Sequence, residues 1–139
     1  MASQNAGRNQ EMVQKMLAAY LTGDEGALRT IIHPEGEIHG GAGLINTGTY
    51  YGYDGFRQWV QQWEEAWEEI SYELLEMVDV GDSIVVVPVH IIGRGAGSGL
   101  EIDSVFGWLY EFRDDQAVRF HAYPSVDAAM ETARGLADE

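Results

Sequence analysis

Apolar residues at Met12, Val13, Met16, Leu17, Tyr20 and Leu21 fall at spacings of three and four, which predicts an amphipathic helix over residues 8–22. Gly23-Asp24 ends it, and Asp24 can cap a shorter second helix running to residue 32. His33-Pro34 then stops that helix, because the residue before a proline avoids the α region. Residues 36–43 read as a short extended piece, and 43–52 as a loop or small hairpin carrying Tyr50 and Tyr51. Phe56, Trp59, Val60, Trp63, Trp67 and Ile70 next give the widest apolar face of the chain, predicting a third helix over 56–70 with an aromatic side.

From residue 71 the period changes. Residues 71–80 alternate weakly, 83–93 are strongly β, and the run GRGAGSG at 93–99 makes a flexible hairpin loop. Residues 100–112 pair back, Asp114-Asp115 turns the chain, 117–123 form the last strand, and 126–136 close it as a helix. Helices followed by an antiparallel meander predict an α+β fold: a cone-shaped, curved antiparallel β-sheet (an α+β barrel) wrapped over three N-terminal helices, with a short C-terminal helix. A sheet curved in this way encloses a conical cavity, and cavities are where small molecules bind. Neither repeat nor linker interrupts the pattern, so residues 1–139 are expected to form a single domain, with 1–7 a disordered tail.

Composition narrows the function classes. With 45% hydrophobic and 22% charged residues over 139 positions, the chain can bury a substantial core. Its 23 acidic residues against 8 Lys and Arg give a net charge of −15, which repels phosphates and argues against nucleic acid and anionic membranes as partners. Solubility is the plainer use of so much acid. No apolar run reaches membrane-spanning length, and MASQNAGRNQ has neither signal-peptide nor transit-peptide character, so a cytoplasmic location is expected. Cysteine is absent, which removes disulfides, thiolate metal sites and Cys nucleophiles.

The segments YYGYDGFRQWVQQWEEAWEE, VDVGDSIVVVPVHIIGRGAGSG and WLYEFRDDQAVRFHAYPSVDAAME, in that order, carry a resemblance to the nuclear transport factor 2-like superfamily and, within it, to SnoaL-like domains, the ketosteroid isomerase-like fold. The likeness covers nearly the whole chain from Met12 onward. It implies the cone-shaped fold, but such cones host isomerases, hydrolases, dehydratases, cyclases and non-catalytic binders. The resemblance also implies where catalytic groups would stand. The steroid isomerases' oxyanion-hole Tyr falls at Met16, their base at Gly40 and their oxyanion-hole Asp near Trp108, so all three groups are missing. The epoxide hydrolases' Asp–Arg–Asp set falls near Pro88, His90 and Ala122, and the cyclases' acidic residue at Ala122; both are absent too. Scytalone-type dehydratases use His residues with Tyr-bound water, and His and Tyr are plentiful here.

Among the candidates for chemistry, His90 stands inside the apolar strand VPVHIIG. On the cavity face, with Pro88 and Ile92, it would be an acid or base near neutral pH; its plain alternative is an edge or subunit-face histidine. His39, at the end of EGEIH, could assist at the cavity mouth. His121 is expected on the outer sheet face with Arg119 and Tyr123, and His33 is structural. Asp103 and Glu101 point outward if Ile102, Ser104, Phe106 and Trp108 point inward, and a one-residue shift would reverse this. Glu64 on the Trp-rich helix is a further acid, most simply a solvated one. The histidines lie at 33, 39, 90 and 121 with no ligand spacing among them, so no metal is expected. The glycines at 93–99 are a hairpin tip, since no helix or G-K-[ST] follows, and no G-x-S-x-G elbow exists.

The aromatic set is the clearest sign of a ligand. Met16, Tyr20, Trp63, Trp67, Phe106, Trp108 and Phe120 are the predicted lining of an apolar pocket suited to a flat polyketide, terpenoid or steroid-like ring system. The expected function is binding of a small hydrophobic molecule, with cofactor-independent isomerase, dehydratase or cyclase chemistry by His90 and His39. A non-catalytic binding or dimeric interaction module is the alternative. The expected assembly is a homodimer packed through the outer sheet faces.

Overall fold

The computed structural model describes residues 6–39 and 48–137, so most of the predicted 1–7 tail and half of the 43–52 loop lie outside it. The first apolar stripe forms helix α1 (Ala6–Thr22), whose Met12, Val13 and Met16 are buried. Asp24 does cap the next helix, α2 (Glu25–Ile31), accepting a hydrogen bond from the Ala27 backbone N–H at 3.1 Å. Then come strands β1 (Ile32–His39) and β2 (Thr49–Tyr51), helix α3 (Gly52–Glu65) and strands β3 (Trp67–Leu74) and β4 (Val78–Val80). The meander is β5 (Ile84–Gly95), β6 (Glu101–Arg113) and β7 (Gln116–Tyr123), and helix α4 (Val126–Ala137) ends the fold.

The strands form one curved sheet in the order β2-β1-β7-β6-β5-β3, with β4 pairing β5 beside β3. The fold is α+β and cone-shaped, and the sheet does not close: β2 and β3 are its edges. It is also mixed rather than purely antiparallel, because β1 runs parallel to β7, setting Ile38 beside Phe120 and His39 beside His121. That pairing joins positions some 80 residues apart, and no local turn chemistry announces it. The β6–β7 hairpin is marked locally: Asp114 and Asp115 take φ of 53° and 64°, the left-handed pair of a tight hairpin turn.

Helix α3 is shorter than the aromatic spacing predicts. Its last turn closes at Ala66, whose N–H bonds the Trp63 carbonyl at 3.2 Å, and Trp67 already belongs to β3 opposite Gly95. Trp67 and Ile70 therefore continue the helical period by coincidence. In the strand it is Ile70, Tyr72 and Leu74 that share a face.

Both faces of the sheet centre are covered. On the inner face Val85, Val87, Val89 and Ile91 of β5 join Phe106, Tyr110 and Phe112 of β6 under α1 and α3. On the outer face Ile84, Val86 and Leu109 pack beneath Ala129 and Ala133 of α4. Each such fully buried aliphatic side chain contributes about 1.5–3 kcal/mol relative to exposure. This double coverage fixes the parity of β5: its odd-numbered residues point inward, and Pro88, His90 and Ile92 lie on the outer face.

Candidate ligand cavity

The inner core is not filled. Between α1, α3 and the sheet lies a cavity of about 330 Å³, a size that admits a small ring system. Aromatic contacts encircle it. Trp63 stacks on Trp59 at 5.9 Å, and Trp59 meets Phe120 edge-on at 5.4 Å. Phe120 meets Trp108 at 5.8 Å, and Trp108 lies 5.9 Å from Tyr72. The circuit closes when the Trp63 indole Nε1–H donates to the Tyr72 hydroxyl at 2.6 Å. All of these side chains line the cavity, as do Met16, Leu17, Phe56 and Val60.

Three local features build that circuit. Helix α3 presents Trp59 and Trp63 one turn apart, strand parity sets Trp108 and Phe120 on the same sheet face, and β3 brings Tyr72 over the rim. The opening is marked by wall residues that are also exposed: Leu21 (78%), Tyr72 and Leu74.

Polar groups are sparse: the phenols of Tyr20, Tyr72 and Tyr110, with Glu37 and Arg119 where β1 pairs β7. Tyr20 lines the cavity and donates its hydroxyl to the Glu64 carboxylate. Burial pushes the Tyr20 phenol above its usual range, and the Glu64 hydrogen bond and charge push it further. Burial also raises Tyr72; the Trp63 hydrogen bond draws it partly back, and the Glu64 charge raises it again. Both phenols therefore stay protonated at neutral pH. Deeper in, Tyr110 is buried with its hydroxyl pushed up by burial alone.

Of the residues predicted from the sequence, Met16, Tyr20, Trp63, Trp108 and Phe120 lie on the cavity wall. Trp67 and Phe106 are buried in the same core but do not reach the cavity. His90 and His39 do not line it either. His90 is on the outer face, where its Nε2 meets Asp103 Oδ1 at 2.6 Å. His39 bonds Glu37 through Nε2 at 3.0 Å and Thr49 through Nδ1 at 3.2 Å. It also stacks on His121 at 5.0 Å, and His121 stacks on Tyr123 at 4.0 Å. The physical reason for His90's placement is a parity of one residue along β5, which turns every side chain to the other face. Tyr72 and Leu74 were not foreseen, although the alternation of Ile70, Tyr72 and Leu74 against polar neighbours was visible in the sequence.

Among the described residues, no three or more His, Cys, Asp or Glu side chains are grouped to hold a metal ion. No described helix is long and apolar enough to cross a membrane.

Solved structures share this architecture. An NTF2-like protein from Burkholderia xenovorans LB400 superposes with a TM-score of 0.76 at 22% identity, covering 96% of this chain and 98% of that one. A putative SnoaL-like polyketide cyclase from Jannaschia sp. CCS1 gives 0.73 at 16% identity, covering 96% of each chain. TerC, co-crystallized with polyporic acid, gives 0.69 at 20% identity, covering 90% of this chain and 97% of that one. At these identities the likeness concerns the fold. Curated protein sequences offer no significant match. The sequence itself matches the family profile of the SnoaL-like domain over residues 13–120, most of its length, and so the chain belongs to the SnoaL-like domain family.

Proposed function

We propose that this protein binds a small hydrophobic molecule with a flat ring system inside its cone and promotes a cofactor-independent proton transfer on it, of the isomerase, dehydratase or cyclase kind. One observation carries the reading: the closed aromatic circuit of Trp63, Trp59, Phe120, Trp108 and Tyr72 around a hollow of about 330 Å³. Flat π-faces on several sides suit a planar apolar ligand and offer little to a phosphate. TerC, of the same fold, was crystallized with polyporic acid, which fits this choice of ligand class. For acid/base work the carboxylates at hand are Glu37, which lines the cavity, and Glu64, which accepts the hydroxyl of the cavity-lining Tyr20.

In this reading His90 and His39 serve the outer sheet face. There Ile92 and Val105 are 47% and 41% exposed beside the His90–Asp103 pair, and a second copy of the chain would cover them.

The test is a thermal-shift screen of two- to four-ring ketones and hydrocarbons on wild type and on Val60→Trp, which plugs the cavity from α3. A ligand held at one hundred times its dissociation constant adds about 2.7 kcal/mol of stability, a clear shift in Tm. Hits on wild type that vanish in Val60→Trp support the cavity as the binding site. Hits that survive the plug, or none at all, overturn it. Deuterium uptake beside a hit's carbonyl then separates a catalyst from a plain binder.

A further inference from the structure

Tyr72 is held from two sides. Its ring lies against Trp108, and its oxygen accepts the Trp63 indole N–H at 2.6 Å. A phenol oxygen with that acceptor position filled still carries its own O–H, and among the described residues no hydrogen bond takes this proton. Tyr72 also lines the cavity at its open end. Tyr20, the neighbouring phenol, is differently committed, because its proton goes to Glu64. The mouth thus offers one free, pre-oriented donor, next to one carboxylate whose charge reaches both phenols.

We infer that the Tyr72 hydroxyl is a ligand-binding donor that recognises a carbonyl oxygen at the edge of the bound ring system, with Trp63 positioning the phenol. This rests on the cavity being the ligand site, and it narrows the ligand class to planar molecules bearing a ketone-type oxygen at one edge. A donor fixed before the ligand arrives is also a more selective one, since little ordering remains to be done on binding.

The experiment compares 2-acetylnaphthalene with 2-ethylnaphthalene, near-isosteres that differ by a carbonyl in place of a methylene, in tryptophan-fluorescence titrations of wild type and Tyr72→Phe. The expected result is that Tyr72→Phe weakens the ketone about three- to tenfold, the range for one net hydrogen bond, and leaves the hydrocarbon unchanged. An unchanged ketone affinity, or an equal loss for both ligands, would overturn the donor assignment while the cavity reading stands. If neither ligand binds wild type, the cavity reading falls and this inference with it.

Discussion

On the outer face of the sheet, Ile84, Val86 and Leu109 meet Ala129 and Ala133 of α4 with 0–1% exposure. On the inner face larger side chains do the packing, yet they leave about 330 Å³ unfilled. The two cores share the same strands, so backbone geometry alone does not explain the difference. Side-chain shape does. Small aliphatic groups against alanines interdigitate until nothing is left between them. Rigid indole and phenyl rings meet at 5–6 Å in edge-on and stacked contacts and brace one another across a gap. The outer core holds the helix on, and the inner one holds a space open.

That contrast breaks if the two sides respond alike to truncation. Leu109→Ala should lower the free energy of unfolding by about 3 kcal/mol, as for other well-packed leucines. Met16→Ala should cost less, about 1–2 kcal/mol, because one flank of Met16 already faces the void and has fewer contacts to lose. Urea unfolding of both variants decides it, and equal losses would mean that the inner wall is as tightly supported as the outer core. Leu109→Ala, if folded, should keep wild-type affinity for any cavity ligand.

A smaller effect sharpens the same point. Gly107 lies on β6 where α4 starts: a Cβ there would sit 2.7 Å from both the Ala129 Cβ and the Ser125 carbonyl oxygen. These are a short side chain and backbone, with no flexible end to swing aside. Gly107→Ala should therefore lift the first turn of α4 and cost about 2 kcal/mol, in the range of overpacked sites. Calorimetry would show it, and an unchanged Tm would mean that α4 rides more loosely on the sheet than its buried alanines imply.

How much of this could be read from the chain depends on whether the cause is local. The stripe of α1, the Asp24 cap and the Asp114-Asp115 turn are local, and each was legible. The end of α3 was not, because Trp67 and Ile70 happen to prolong the helical period into a strand. The parallel β1–β7 pairing is set by distant parts of the chain. The side chosen by His90 was hidden for a different reason. Residues Ile84, Val85, Val86 and Val87 are all buried, since α4 covers one face and α1 with α3 the other, and a strand buried on both faces loses the alternation that would reveal its parity. Aromatic wall residues could be listed in advance; the Trp63–Tyr72 bond that closes the circuit could not, as it joins a helix to a strand whose register only the fold supplies.

Beside the α4 core, the outer face carries the ring stack of His39, His121 and Tyr123, of which Tyr123 packs against that core. His121 is pushed down to about 4, first by burial and then by the neighbouring His39 and Arg119. Glu37, which also lines the cavity, is bonded to His39. The sign of the effect follows from where the proton goes. The unfolded chain takes up a proton at His121 near its ordinary pKa of 6.5, whereas the folded chain refuses it until about pH 4. Protonation therefore favours the unfolded state, so stability should be flat in this respect above about pH 7 and fall as the pH drops from 6.5 toward 4. His121 is only half-buried and water screens its neighbours, so the loss should stay near or below about 1 kcal/mol. Carboxylates titrate toward the lower end of this window, which makes the difference between wild type and His121→Gln the useful quantity. That difference should be constant above pH 7 and shift steadily in favour of the variant between pH 6.5 and 4.5. Parallel Tm curves across the window would mean that the stack opens to water in solution and adds nothing to the core under α4.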